Sequence, residues 1–155
     1  MNNKNVSIKE VAKLISTSLA VLGFKKRGNS WYRSNDEVVQ VVNLQKSQWG
    51  EQYYENLGVL IRILDDTLMP RPARCHLVAR LSMLVQNNSG EDYVIDLEKP
   101  EPFNNIQRVL GALENSKRIF LEKCSTLKGI LKFLKSNSTV IVSADARLFI
   151  KESKL

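Results

Sequence analysis

Residues 22–59, LGFKKRGNSWYRSNDEVVQVVNLQKSQWGEQYYENLGV, decide the fold. Strand-like apolar alternation runs through them, interleaved with amides, basic groups and aromatic rings that a plain core would not require. The turn-rich triplets Gly28-Asn29-Ser30 and Ser34-Asn35-Asp36 bracket Trp31-Tyr32-Arg33 as a short strand. Val38 to Gln45, rich in β-branched residues, is the next. Further out, Tyr53 to Leu64 alternates with Leu57, Val59, Ile61 and Ile63 on one side. Cys75 to Leu84 alternates as well, setting Cys75, Leu77, Ala79 and Leu81 against His76, Val78 and Arg80. Pro70-Arg71-Pro72 breaks the chain before that strand. With no long crossover between these segments, the arrangement is an antiparallel meander.

Helical patterns flank the strands. Ser7-Ile8-Lys9-Glu10 is a capping box, and Ile8, Val11, Ala12, Ile15, Leu19 and Leu22 follow at helical spacing until Gly23. After Pro100-Glu101-Pro102, Ile106, Val109, Leu110 and Leu113 form a second stripe, continued by Phe120, Cys124, Leu127, Leu131 and Leu134. Gly129 and the Ser125-Thr126 pair weaken that run and offer a place to split it. The tail from Thr139 reads either as an extended segment or as a short helix starting at Ser143. The expected fold class is α+β in a single domain, residues 1–155. An N-terminal helix over 7–22 leads into an antiparallel sheet of about four strands within about 24–97, and a helical region over about 103–136 packs on one face. The tail 137–155 stays open between the two readings.

Apolar content of 43% and charged content of 25% fit a folded globular chain. No apolar run approaches the ~20 residues needed to cross a bilayer, so no membrane partner is expected. The N-terminus lacks the apolar core of a secretory signal, and two cysteines cannot build a disulfide framework, so the expected setting is cytoplasmic. Net charge is +7 but uneven: eight bases to five acids over 1–60, five to six over 61–100, and ten to five over 101–155. Basic ends attract polyanions without regard to sequence.

Period two carries the functional reading. If Leu57, Val59, Ile61 and Ile63 face the helices, Tyr54, Asn56, Gly58, Leu60 and Arg62 face away, and His76 and Arg80 join them from the fourth strand. Burying Val38, Val42 and Leu44 likewise exposes Val39, Val41, Asn43 and Gln45, at the cost of burying Gln40, which a bulge or an edge position would resolve. The expected binding residues are Asn43, Gln45, Lys46, Trp49, Tyr54, Asn56, Arg62, His76 and Arg80, over an apolar floor of Val39, Val41 and Leu60. Lys25, Lys26 and Arg27 form a basic patch suited to an anion or nucleic acid, and Lys117, Lys128, Lys132 and Lys135 form a row on one helix side if the helix runs through Gly129.

Catalytic readings are thin. Cys75 and His76, adjacent in a strand, point to opposite faces and make a poor dyad; Cys124 reads as core. One histidine and scattered acids offer no metal ligand cluster, and no cofactor is implied. Asp65-Asp66 and Glu91-Asp92 read as solvated loops, and no glycine-rich phosphate loop is present.

LGFKKRG followed by WYR, VVQVVNLQKSQWG and YYENLGV resembles the bacterial family catalogued as domain of unknown function 4304, most strongly over residues 19–60 and more loosely over about 103–134. The resemblance implies a small bacterial helix–sheet–helix domain without an assigned activity. Its pattern is carried by Asn43, Gln45, Lys46, Trp49, Gly50, Tyr53, Asn56 and Gly58. The expected function is a binding or interaction module rather than an enzyme, meeting an anionic ligand or a peptide-like protein partner on the open sheet face. The alternatives are sequence-tolerant nucleic-acid binding and, less favoured, an enzyme on a small polar substrate with His76 as acid–base group.

Overall fold

The computed structural model describes residues 5–85 and 93–153; the acidic pair Glu91-Asp92 lies outside them. The first helix, α1 (Ile8–Ala20), starts on the capping box: Ser7 Oγ accepts from the Glu10 N–H at 3.4 Å and Glu10 Oε2 from the Ser7 N–H at 2.8 Å. It buries Val11, Ile15 and Leu19. Gly23, at φ +86°, turns the chain, and the Phe24 N–H returns to the Leu19 carbonyl at 3.1 Å.

Among the described residues the sheet has seven strands rather than about four: β1 (Lys25–Arg27), β2 (Ser30–Ser34), β3 (Val38–Lys46), β4 (Gln52–Ile61), β5 (Leu77–Arg80), β6 (Ile95–Asp96) and β7 (Ile141–Val142). Every pairing is antiparallel in the order β1-β2-β3-β4-β5-β7, with β6 on the far end of β4. The strands beyond the expected four, β1, β6 and β7, are two or three residues long, too short to show alternation, and only β7 falls in a segment that the sequence offers as extended. β1 is also an exposed edge of three bases, a composition that discourages pairing with another chain.

The C-terminal helices are α2 (Pro102–Lys123), α3 (Leu127–Leu134) and α4 (Ala144–Glu152). The split falls at the Ser125-Thr126 pair, where Thr126 Oγ1 accepts from the Gly129 N–H at 3.0 Å. A Cβ on Gly129 would sit 2.0 Å from the Lys123 carbonyl oxygen, so this close turn requires glycine. The expected lysine row therefore does not exist: Lys117 belongs to a separate helix and is buried. The tail uses both of its readings, extended at β7 and then helical from a Ser143 cap.

Trp31, Val42, Leu57, Val59, Ile61 and Leu77 form the core with Val11, Ile15 and Leu19 of α1 and Ile106, Val109 and Phe120 of α2. Gln40 sits among them without a bulge, since β3 pairs β4 continuously from Val38 to Lys46. Its Oε1 accepts from Arg33 Nη2 at 2.6 Å and Nε at 3.1 Å, and its Nε2 donates to the Leu121 carbonyl at 2.8 Å. Arg33 Nη1 donates to the Leu22 carbonyl at 2.9 Å. The buried Gln40 amide and the half-buried Arg33 guanidinium thus satisfy carbonyls near the ends of α1 and α2. A second buried polar contact joins Lys117 Nζ to Glu55 Oε1 at 3.1 Å across the sheet–α2 interface.

Three expectations about the strands need correction. Ile63 is exposed because β4 ends at Ile61 and a tight turn follows, the Leu64 N–H bonding to the Ile61 carbonyl at 3.0 Å. Cys75 precedes β5 and packs on the face away from α1 and α2. Val39, Val41 and Leu60 are buried beneath the return segment through Pro72–Arg74, so they are not an open floor. Gly58 makes this cover possible: a Cβ there would lie 2.7 Å from Cys75 Sγ and 2.9 Å from Val41 Cγ1.

Candidate functional site

With the apolar half of the second face covered, its other half carries a row of polar side chains. The registers Arg27↔Ser30, Ser30↔Asn43, Asn43↔Asn56 and Asn56↔Arg80 align five residues across β1 to β5. At about 4.8 Å per strand the row spans about 19 Å, with a guanidinium group at each end. Gln45 and Tyr54 form the next rank on one side. Lys25, Tyr32, Val41, Gly58 and Val78 form the rank on the other.

Hydrogen bonds within the row fix its shape. Asn43 Nδ2 donates to Ser30 Oγ at 2.9 Å, and Asn56 Nδ2 donates to Gln45 Oε1 at 2.8 Å. The Arg80 guanidinium lies 4.1 Å over the Tyr54 ring, and its Nη2 reaches Gln45 Oε1 at 3.5 Å. Stacking on an aromatic face holds a guanidinium flat while leaving its fork of N–H groups for a bidentate anion. The Gln45 amide NH2 and the Oδ1 atoms of Asn43 and Asn56 have no partner among the described residues. Gln45, Asn56 and Arg80 are thus held by one another and still offer both donors and acceptors outward.

The remaining expected residues are placed differently. Lys46 falls on the core-face side of β3 and pairs with Glu51 at 2.8 Å; Glu51 Oε2 also accepts from the Tyr53 hydroxyl at 2.8 Å. The Lys46 contact and then the Tyr53 hydrogen bond hold the Glu51 carboxyl below its usual range. Burial and then the Glu51 carboxylate push the Tyr53 phenol up to about 12. Trp49, 84% exposed, stands at the β3–β4 turn, beyond the end where Gln45 and Tyr54 lie. Arg62 lies six residues from Asn56, about 20 Å along the strand direction. Its Nε and Nη2 bond to Asp66 Oδ1, each at 2.9 Å, and its Nη1 to the Asn35 carbonyl at 2.7 Å, so it belongs to a turn and not to the row.

His76 is buried, not on the open face. Its Nδ1 accepts the Ile61 N–H at 2.8 Å, replacing a ladder carbonyl where β5 begins, and its Nε2 lies 3.5 Å from Asp145 Oδ2. The three bases of the expected patch are divided by the strand period. Lys25 and Arg27 share the side of the row, while Lys26 turns to the other side, 5.8 Å over the Trp31 ring.

Burial pushes both thiols, Cys75 and Cys124, up to about 12, which leaves them poor nucleophiles. Among the described residues no three histidine, cysteine, aspartate or glutamate side chains gather as a metal site. No helix among them is long and apolar enough to cross a membrane. Sequence reasoning did not join Arg27, Ser30 and Tyr32 to the face; the usable signal was the Gly28 hairpin, which fixes the register between KKR and SWY.

Among known proteins, the family model described as "Domain of unknown function (DUF4304)" matches residues 6–123. No curated protein and no solved structure matches the chain.

Proposed function

Because the chain belongs to the family described as "Domain of unknown function (DUF4304)", which names no activity, we propose a function from the geometry of the sheet. The protein is a binding module, and its polar row takes a short acidic peptide segment laid across the strands. The observation that carries this reading is the line Arg27–Ser30–Asn43–Asn56–Arg80, cationic at both ends and amide-rich between them. The row's span of about 19 Å is the reach of about six extended residues. Carboxylates near the two ends of such a segment would meet Arg27 and Arg80, while its backbone N–H and C=O groups would meet the amides between. Trp49, exposed at the neighbouring turn, offers an apolar contact beyond the row.

The test is a two-dimensional amide NMR titration of the full chain with hexaglutamate, and separately with hexathymidylate. The expected result is that hexaglutamate moves the side-chain amide signals of Asn43, Gln45 and Asn56. In the Arg27→Gln/Arg80→Gln variant the affinity should fall about tenfold, the combined effect of two exposed charge contacts. Shifts confined to other elements, or an unchanged affinity in the variant, would refute the reading. Saturation by hexathymidylate but not by hexaglutamate would transfer it to single-stranded nucleic acid.

A further inference from the structure

Away from this row, on the other side of the sheet, a groove of about 630 Å³ lies between α1 and the β1–β2 hairpin. Its walls are Ile8, Ala12 and Ser16 of α1, together with Trp31 and Leu44 of the sheet. Ser16 Oγ accepts the Trp31 indole N–H at 2.9 Å, so the indole's one polar atom is satisfied, and Asn29 adds a neutral polar group at the hairpin end of the groove. Lys9 and Lys13 of α1 and Lys26 of β1, whose ammonium stands 5.8 Å over the Trp31 ring, also line the groove, and among the described residues no acidic one does. Neither Lys9 nor Lys13 has a carboxylate partner among the described residues, and the nearest helix acid, Glu10, is engaged in the N-terminal cap. Like charges at i and i+4 on a helix repel one another.

We propose that this groove is a second binding site, for a single-chain amphiphile with an apolar body and a carboxylate head. The volume lies within the range of ligand pockets, about 300–1,000 Å³, and the lining is that of such sites, apolar with a few charged groups. The chain of the ligand would lie against the half-buried Ile8 and Ala12, over a floor formed by the edges of the buried Trp31 and Leu44. Its carboxylate would sit among Lys9, Lys13 and Lys26, where one negative charge meets three positive ones. The site does not depend on the second-face row and shares no residue with it.

Trp31 in the wall supplies the readout. The sequence holds two tryptophans, so Trp49→Phe leaves Trp31 as the sole fluorophore. Titration of that protein with decanoate should give a saturable change in Trp31 emission. Decanol, with the same body and no charge, should bind at least about tenfold more weakly, as should decanoate to the Lys9→Gln/Lys13→Gln/Lys26→Gln variant. All three lysines are exposed, so the variant keeps its core, and an unchanged melting curve verifies this. Arg27→Gln/Arg80→Gln should leave decanoate binding unchanged, which separates this site from the row. Absence of a saturable change, equal binding of decanol, or full binding by the triple variant would overturn the proposal.

Discussion

Replacing Lys117 with methionine should unfold this protein at a much lower temperature, and the structure sets the size of the effect. Lys117 Nζ lies 3.1 Å from Glu55 Oε1, with the two side chains 2% and 0% exposed. Its other carboxylate neighbour, Glu114 at 3.6 Å, is half-exposed and replaceable by water. Glu55 Oε2 already has no hydrogen-bond partner among the described residues, so without Lys117 both oxygens of a buried carboxylate would be orphaned. Breaking a buried ion pair from one side costs about 3–5 kcal/mol. For a chain of this size each kcal/mol moves Tm by about 2–4 °C, giving a loss of about 6–20 °C. Removing both charges, as Glu55→Leu/Lys117→Met, should restore wild-type stability or exceed it by about 1–4 kcal/mol, because the desolvation of two ions disappears with them. Differential scanning calorimetry and urea unfolding of the four proteins in the cycle measure this. A single Lys117→Met variant within about 1 kcal/mol of wild type, below the expected range for a buried pair, would refute the reasoning.

Other expectations follow from the same geometry. Gly58→Ala forces a Cβ against Cys75 Sγ and Val41 Cγ1 and should cost about 1–3 kcal/mol in urea unfolding, with a smaller cost in a Cys75→Ala background. Gln40→Leu leaves Arg33 Nε without its acceptor and the Leu121 carbonyl with only the 3.2 Å bond from Arg33 Nη2, and should destabilise by about 1–3 kcal/mol. Both thiols should resist Ellman's reagent in the native protein and react fully in denaturant, because burial holds each near about 12. Absorbance near the tyrosinate band should show Tyr53 ionising near about 12, well after an ordinary phenol at 10.0. The unfolded chain releases that proton first, so this group favours unfolding as pH rises from the unfolded value through the folded one.

The order of elements was legible because each long element repeats its period several times. The α1 stripe from Ile8 to Leu19, and the alternation of β3 and β4, leave little choice of face. What covers the second face was not legible. Val39, Val41 and Leu60 look like an exposed floor until the segment carrying Pro72–Arg74 folds back over them, a contact without sequence periodicity. Period two does turn Gln40 inward, but the groups that satisfy it there, Arg33 and the Leu121 carbonyl, and the pairing of Glu55 with Lys117, are contacts between elements that no local pattern shows. Of the expected residues, Asn43, Gln45, Tyr54, Asn56 and Arg80 lie together through the β3–β4–β5 register. His76 and Arg62 leave it because β5 starts, and β4 stops, at those residues.

The central claim, that the polar row is where this protein meets its partner, is tested most directly by site-specific photo-crosslinking in the cells that make it. A benzophenone amino acid placed at Gln45 or Asn56 should trap one discrete adduct whose crosslinked peptide is acidic, and Arg27→Gln/Arg80→Gln should reduce its yield in line with the roughly tenfold loss of affinity. The same amino acid at Arg118, exposed on the outer side of α2, should trap nothing comparable. Equal adducts at Arg118 and at the row, or a Gln45 adduct indifferent to loss of both arginines, would contradict the account.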